Sequence, residues 1–134
     1  MRERISILDA QDMLSDLLDE LPKEFFHELH GGVILLDELK LHEESRSIPL
    51  YIMGEYRYQK GIGRSIVIYY RSFDKVYGHL GYDRFNKALR RVLRHEFRHH
   101  VETLAGSKDL IVEDHKQIED YKRKYDSTRP LDNT

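Results

Sequence analysis

Apolar residues recur every three or four positions in two long stretches and cluster in short runs elsewhere, and this pattern divides the chain into elements. After Ser6-Ile-Leu-Asp9, the stretch Ala10 to Leu21 carries Met13, Leu14, Leu17, Leu18 and Leu21 at helical spacing. Pro22 stops it, which predicts an amphipathic first helix. Pro22 to His30 carries Phe25, Phe26 and Leu29 and predicts a short helical or turn segment, ended by Gly31-Gly32. The run Val33-Ile-Leu-Leu36 predicts a first strand, and the polar, acidic stretch Lys40 to Ser47 a loop. Leu50 to Tyr58 and Ser65 to Arg71, rich in Tyr and Ile, predict two further strands. Gly61-Ile-Gly63 suits the hairpin turn between them better than a phosphate cradle, because no helix opens after it and no Lys-Ser/Thr follows.

Tyr82 to Leu104 is the longest periodic stretch, with Phe85, Ala88, Leu89, Val92, Leu93, Phe97, Val101 and Leu104 on one face and no Pro or Gly inside. It predicts a long core helix. Gly106 stands where a helix end calls for a left-handed residue, and Lys108-Asp-Leu turns the chain out. A last helix is expected from about Val112 to Tyr125, followed by a frayed polar tail over 126–134. A single domain over 1–134 is expected, since 134 residues with 40% hydrophobic content supply one core.

Composition narrows the chemistry. Cysteine is absent, so disulfides, iron–sulfur clusters, thiolate zinc sites and cysteine nucleophiles drop out, and any metal must sit on nitrogen and oxygen. The apolar runs Val33 to Leu36 and Ile66 to Tyr70 fall far short of the roughly 20 residues of a membrane span, and Met1 to Ala10 has no signal-peptide core. A cytoplasmic location without a membrane partner is therefore expected. The net charge of −2 hides an asymmetry: 5 basic and 13 acidic residues from Met1 to Glu55, against 11 basic and 3 acidic from Tyr56 to Arg98. Such segments either attract each other or offer the basic one to an anionic partner. A pI of about 6.4 favours the first and argues against nucleic acid.

Within the long helix stands His95-Glu96-Phe97-Arg98-His99, a His-Glu-x-x-His motif, in which two imidazoles one turn apart can share a metal. On a wheel of ~100° per residue with Phe85 at zero, the apolar face centres near ~60°, with His95 near ~280°, His99 near ~320° and Glu96 near ~20°. Glu96 thus points into the apolar sector, where a buried carboxylate needs a partner or a task. Imidazoles at this spacing bind zinc, a third ligand completes the protein's share, and the remaining position holds a water whose pKa falls to about 7. Glu96 is placed to serve as general base to that water and then to protonate the leaving amine. The reaction so outlined is peptide-bond hydrolysis.

His95-Glu-Phe-Arg-His-His100, preceded by Arg64-Ser-Ile-Val-Ile-Tyr-Tyr-Arg71, resembles the minimal zincin-like metallopeptidase family of bacteria. Asp19-Glu-Leu-Pro-Lys-Glu-Phe-Phe, Val33-Ile-Leu-Leu and the loop with Met53-Gly-Glu-Tyr extend the likeness over about residues 8 to 125. The resemblance implies an α+β fold of zincin-like architecture, with a small mixed sheet beside the long active-site helix, one zinc ion and a peptidase activity that rests largely on the motif. Many members turn at a Gly three residues after the second His and bind zinc three residues later. Here Glu102 holds that Gly position and Gly106 arrives four residues late, about one helical turn of ~6 Å. Asp109 keeps the Gly-x-x-Asp spacing but falls a turn too far along. Asp114 at the start of the last helix is accordingly preferred as third ligand, ahead of Glu113, Asp109 and His115.

Glu102 shares the His95/His99 face and suits an acceptor for a ligand N–H or a surface ion pair. His100, in the middle of the apolar face, reads as a hydrogen-bonded core histidine rather than a ligand, while His27, His30, His42 and His79 have no spacing that argues for a site. Extended peptide or protein substrate is expected to pair with Arg64 to Arg71 as an edge strand. An oxyanion stabiliser is expected from Tyr or Arg, and spacing selects none. Two other readings stand beside the peptidase: a non-catalytic module held together by zinc, and a basic-aromatic nucleic-acid binder using Tyr56 to Arg71.

Overall fold

The computed structural model describes residues 4–106, which form a small α+β fold of three helices, a three-stranded mixed sheet and a two-stranded ribbon. Helix α1, Ile7–Asp19, opens on a capping box: the Ser6 hydroxyl accepts from the Asp9 N–H at 3.1 Å and the Asp9 carboxylate accepts from the Ser6 N–H at 3.4 Å. It buries Ala10, Met13, Leu14 and Leu17, the face expected from their spacing. A single 3₁₀ turn, Lys23–Phe26, follows Pro22.

Strand β1 is Gly32–Leu36, β2 Lys40–Leu41, β3 Tyr51–Ile52, β4 Gly54–Gln59 and β5 Gly63–Tyr69. The main sheet has the order β1-β5-β4, with β1 parallel to β5 and β4 antiparallel to it. Gly61 and Gly63, at φ +90° and +95°, make the β4–β5 turn possible, as the sequence suggested. The expectation that Arg64 to Arg71 forms an edge is corrected: β5 is the central strand, bonded on both sides and buried from Ser65 to Tyr69. Continuous burial explains why its apolar run does not alternate. The edges of the sheet are β1 and β4.

Four further expectations change. The strand ends at Tyr69, and Tyr70–Tyr77 is helix α2, whose buried Ser72 hydroxyl accepts from the Lys40 N–H at 3.0 Å. That bond anchors β2 inside the stretch expected to be loop, where Lys40 pairs with Ile52 and Leu41 with Tyr51. The expected Leu50 to Tyr58 strand is accordingly split at Met53 between the ribbon and the main sheet. Gly106 caps the long helix with a right-handed φ of −83°, its N–H bonding back to the Glu102 carbonyl, so the turn continues instead of reversing. The last helix expected over Val112 to Tyr125, and the tail after it, lie outside the described residues.

Helix α3, Tyr82–Ala105, spans the fold and buries Phe85, Leu89, Leu93, Phe97, Val101 and Leu104. Phe97 is fully buried, with its ring 6.0 Å from Phe25 and 5.3 Å from Phe26, so the 3₁₀ turn caps the helix's apolar face. Opposite-sign segments meet in Arg71–Asp37 at 2.9 Å and Arg90–Glu20 at 2.8 Å, the internal attraction anticipated from the charge asymmetry. On its other side α3 approaches β4 at Gly54. A Cβ there would lie 3.0 Å from Val92 Cγ1, 3.2 Å from Ile68 Cδ1 and 3.3 Å from the Val67 carbonyl. We expect Gly54→Val to cost about 1–3 kcal/mol through overpacking. A chemical-denaturation midpoint equal to that of the unmutated chain would show that β4 and α3 are not in close contact.

Candidate metal centre

Arg91, His95, His99 and Thr103 succeed one another at four-residue steps on α3 and form one stripe along the helix. This stripe is the floor of a cleft of about 1030 Å³. Its opposite wall is the ribbon and the start of β4, from Leu50 to Tyr56, with His42 and Glu44 from the β2–β3 connection and Val76 and Tyr77 from the end of α2. His95 is buried and His99 exposed, so the pair runs along the cleft floor toward its mouth.

The two imidazoles converge. His95 Nε2 and His99 Nε2 are 2.9 Å apart, and the rings meet edge to face with centroids 4.4 Å apart. Two nitrogens sharing a tetrahedral zinc at ~2.0–2.1 Å would be about 3.3 Å from each other. The observed pair needs to open by only ~0.4 Å to accept such an ion, so the imidazole donor atoms and their direction suit zinc. Among the described residues no third His, Asp or Glu joins them at metal-holding distance. Asp114, the preferred third ligand, and Glu113, Asp109 and His115 lie outside the described residues. Glu102 is exposed one turn beyond the pair.

Glu96 lines the same cleft and is 3% exposed, consistent with its position on the wheel. The sequence thus led to the carboxylate that the fold places beside the imidazole pair. It missed the rest of the lining: Arg91 and Thr103 could have been found from their four-residue spacing to the histidines, whereas Tyr77, Tyr56 and Glu55 reach the cleft only through tertiary packing.

His100 is the core histidine anticipated. Its Nε2–H donates to the His27 carbonyl at 2.7 Å, which leaves Nδ1 to accept from the Tyr56 hydroxyl at 2.7 Å. Burial is the main influence on this imidazole and pushes its pKa below the ordinary value. Glu55 is pushed up by burial, but hydrogen bonds from Lys40 and Tyr69 and the charges of Lys40 and Arg57 outweigh this and hold it below the ordinary carboxylate range. These bonds tie β2 to β4 and β5, and so tether the cleft wall to the main sheet.

No family model and no curated protein matches the chain. The solved structure of a conserved hypothetical protein from Thermo thermophilus is similar to it, with a TM-score of 0.65 and 29% identity. The match covers 75% of this chain and 98% of that one, so nearly the whole of that fold is reproduced here. No helix among the described residues is long and apolar enough to cross a membrane.

Two outcomes are expected. Competition against a chromophoric chelator should show one zinc bound to the full chain, with His95→Ala or His99→Ala weakening it at least ~100-fold; unchanged affinity in either variant would refute a shared ion. Because burial holds the His100 pKa below its ordinary value of 6.5, the unfolded chain binds more protons below about pH 6.5, and stability should drop as the pH is lowered through that range, by up to about 1.4 kcal/mol per unit. Urea unfolding of the unmutated chain and of His100→Gln isolates this share: the variant's curve should be flatter between about pH 7.5 and 5.5.

Proposed function

We propose that this chain is a zinc-dependent metallopeptidase of minimal zincin type, with His95 and His99 as ligands and Asp114 as the preferred third. The observation that carries the reading is the 2.9 Å convergence of two imidazole Nε2 atoms on the floor of a cleft that a buried glutamate also lines. The donor set is two imidazole nitrogens with an inward carboxylate one residue after the first, which suits hydrolysis better than a closed structural site. Zinc held there would polarise a peptide carbonyl and lower the pKa of water to about 7.

The chain's own groups supply the remaining work. The Glu96 carboxylate takes the proton of the attacking water and returns it to the nitrogen of the leaving amine. Its burial keeps it away from bulk solvent, so the proton has few other destinations. Extended substrate is received by β4, which is an edge of the sheet among the described residues and whose first residues, Gly54 to Tyr56, border the cleft. Backbone bonding of this sort gives position with little selectivity, while Leu50, Ile52 and Met53 offer apolar contact.

Glu96→Gln should retain zinc and lose cleavage of an unstructured peptide mixture by at least ~100-fold, the contribution typical of a positioned acid–base group. Cleavage is read by mass spectrometry of the products. A fully zinc-loaded chain that leaves every peptide intact would instead support the zinc-stabilised interaction module.

A further inference from the structure

We propose that Arg91 and Tyr77 form an anchor for a substrate carboxylate, about two residues from the bond to be cleaved. This deepens the reading of the cleft as a peptide site and rests on it. Arg91 lies one turn before His95 on the same stripe, an offset of ~6 Å along the axis. Its Nη2 donates to the Tyr77 hydroxyl at 3.1 Å, and both side chains line the cleft.

Three features fit the pair to a carboxylate. Arg57, Arg71 and Arg90 each meet a carboxylate within 4.0 Å, but among the described residues Arg91 meets none, and it is half-buried. A cation so placed stands to gain from an anion brought by a ligand. Its planar fork keeps further N–H groups beyond the one given to Tyr77, which suits two-point binding of a carboxylate. The Tyr77 oxygen, having accepted from Arg91, still has its own O–H to donate to the same anion.

The bond to Tyr77, the last residue of α2, draws the guanidinium toward that helix, which favours an anchor set apart from the reacting carbonyl over an oxyanion contact. At ~3.3 Å per residue, an extended chain covers the offset in about two residues. Where the carboxylate is the free C-terminus, the fragment released is therefore about a dipeptide. An acidic side chain supplies the same chemistry from inside a longer chain.

The test uses the zinc-loaded full chain carrying Glu96→Gln, so that peptides are bound without being consumed, with fluorescence anisotropy as the readout. Three dye-labelled hexapeptides serve as probes: neutral with a free C-terminus, the same as the amide, and the amide with one internal glutamate. The free acid should bind about 10- to 100-fold more tightly than the amide. Adding Arg91→Gln should abolish the difference, Arg91→Lys should keep part of it, and Tyr77→Phe should reduce it several-fold. Recovery of affinity by the internal glutamate identifies a side chain as the source, and no recovery identifies the C-terminus.

Equal affinity for all three peptides, no binding of any of them, or full discrimination surviving in both Arg91 variants would overturn the anchor. If the unmutated chain cleaves acid and amide at equal rates, the peptidase reading survives and the anchor falls. If it cleaves nothing yet binds carboxylates through Arg91, the anchor survives and the peptidase reading falls.

Discussion

The rotation of α3 about its own axis is the constraint on which the rest depends, and His100 sets it. A fully buried imidazole must satisfy both ring nitrogens, and it does so between the His27 carbonyl on one side and the Tyr56 hydroxyl of β4 on the other. Leaving either nitrogen unpaired would cost about 1–3 kcal/mol. His95, His99, Glu96 and His100 fall within ~140° of one another around the helix. A turn of a few tens of degrees would therefore drive His99 into the sheet or push Glu96 into water. The convergent imidazole pair inherits its geometry from a hydrogen-bonded histidine that never touches the cleft floor.

The same helix shows how burial of polar groups was distributed. His95, Glu96 and His100 are all buried, yet α3 also buries Phe85, Leu89, Phe97 and Val101. The aromatic packing of Phe25, Phe26 and Phe97 and the apolar faces of α1 and β5 supply the favourable burial against which the polar residues are set. Around the cleft, Lys40, Glu55, Tyr69 and Arg57 link the ribbon, β4 and β5 in one network, so the wall opposite the histidines is tied down by charge as well as by strand pairing.

Long elements were legible because their periodicity repeats often enough to outweigh local noise. The face of α1, the extent of α3, the inward Glu96 and the core position of His100 all follow from 3.6-residue spacing. Short elements were not. Two-residue strands such as β2 and β3 hold no period to read, and α2 begins directly after β5 at Tyr70 with no breaker between them. The aromatic character of Tyr69 and Tyr70 favours strand, and the tertiary bond between Ser72 and Lys40 favours helix beyond it. The central place of β5 did leave a trace in its unbroken apolar run. Arg91 left one too, in its spacing from His95, but no property of the sequence alone brings Tyr77 to it.

The floor of the cleft has a rhythm of its own. Residues four apart on a helix form rows inclined at roughly 26° to its axis, with a step of ~6 Å. A ligand following Arg91, His95, His99 and Thr103 thus crosses α3 obliquely, and each step matches about two residues of extended chain. Successive side chains of such a chain point to opposite sides. An extended peptide laid along this stripe would face the helix with every second residue, leaving the alternate ones to the ribbon and to solvent.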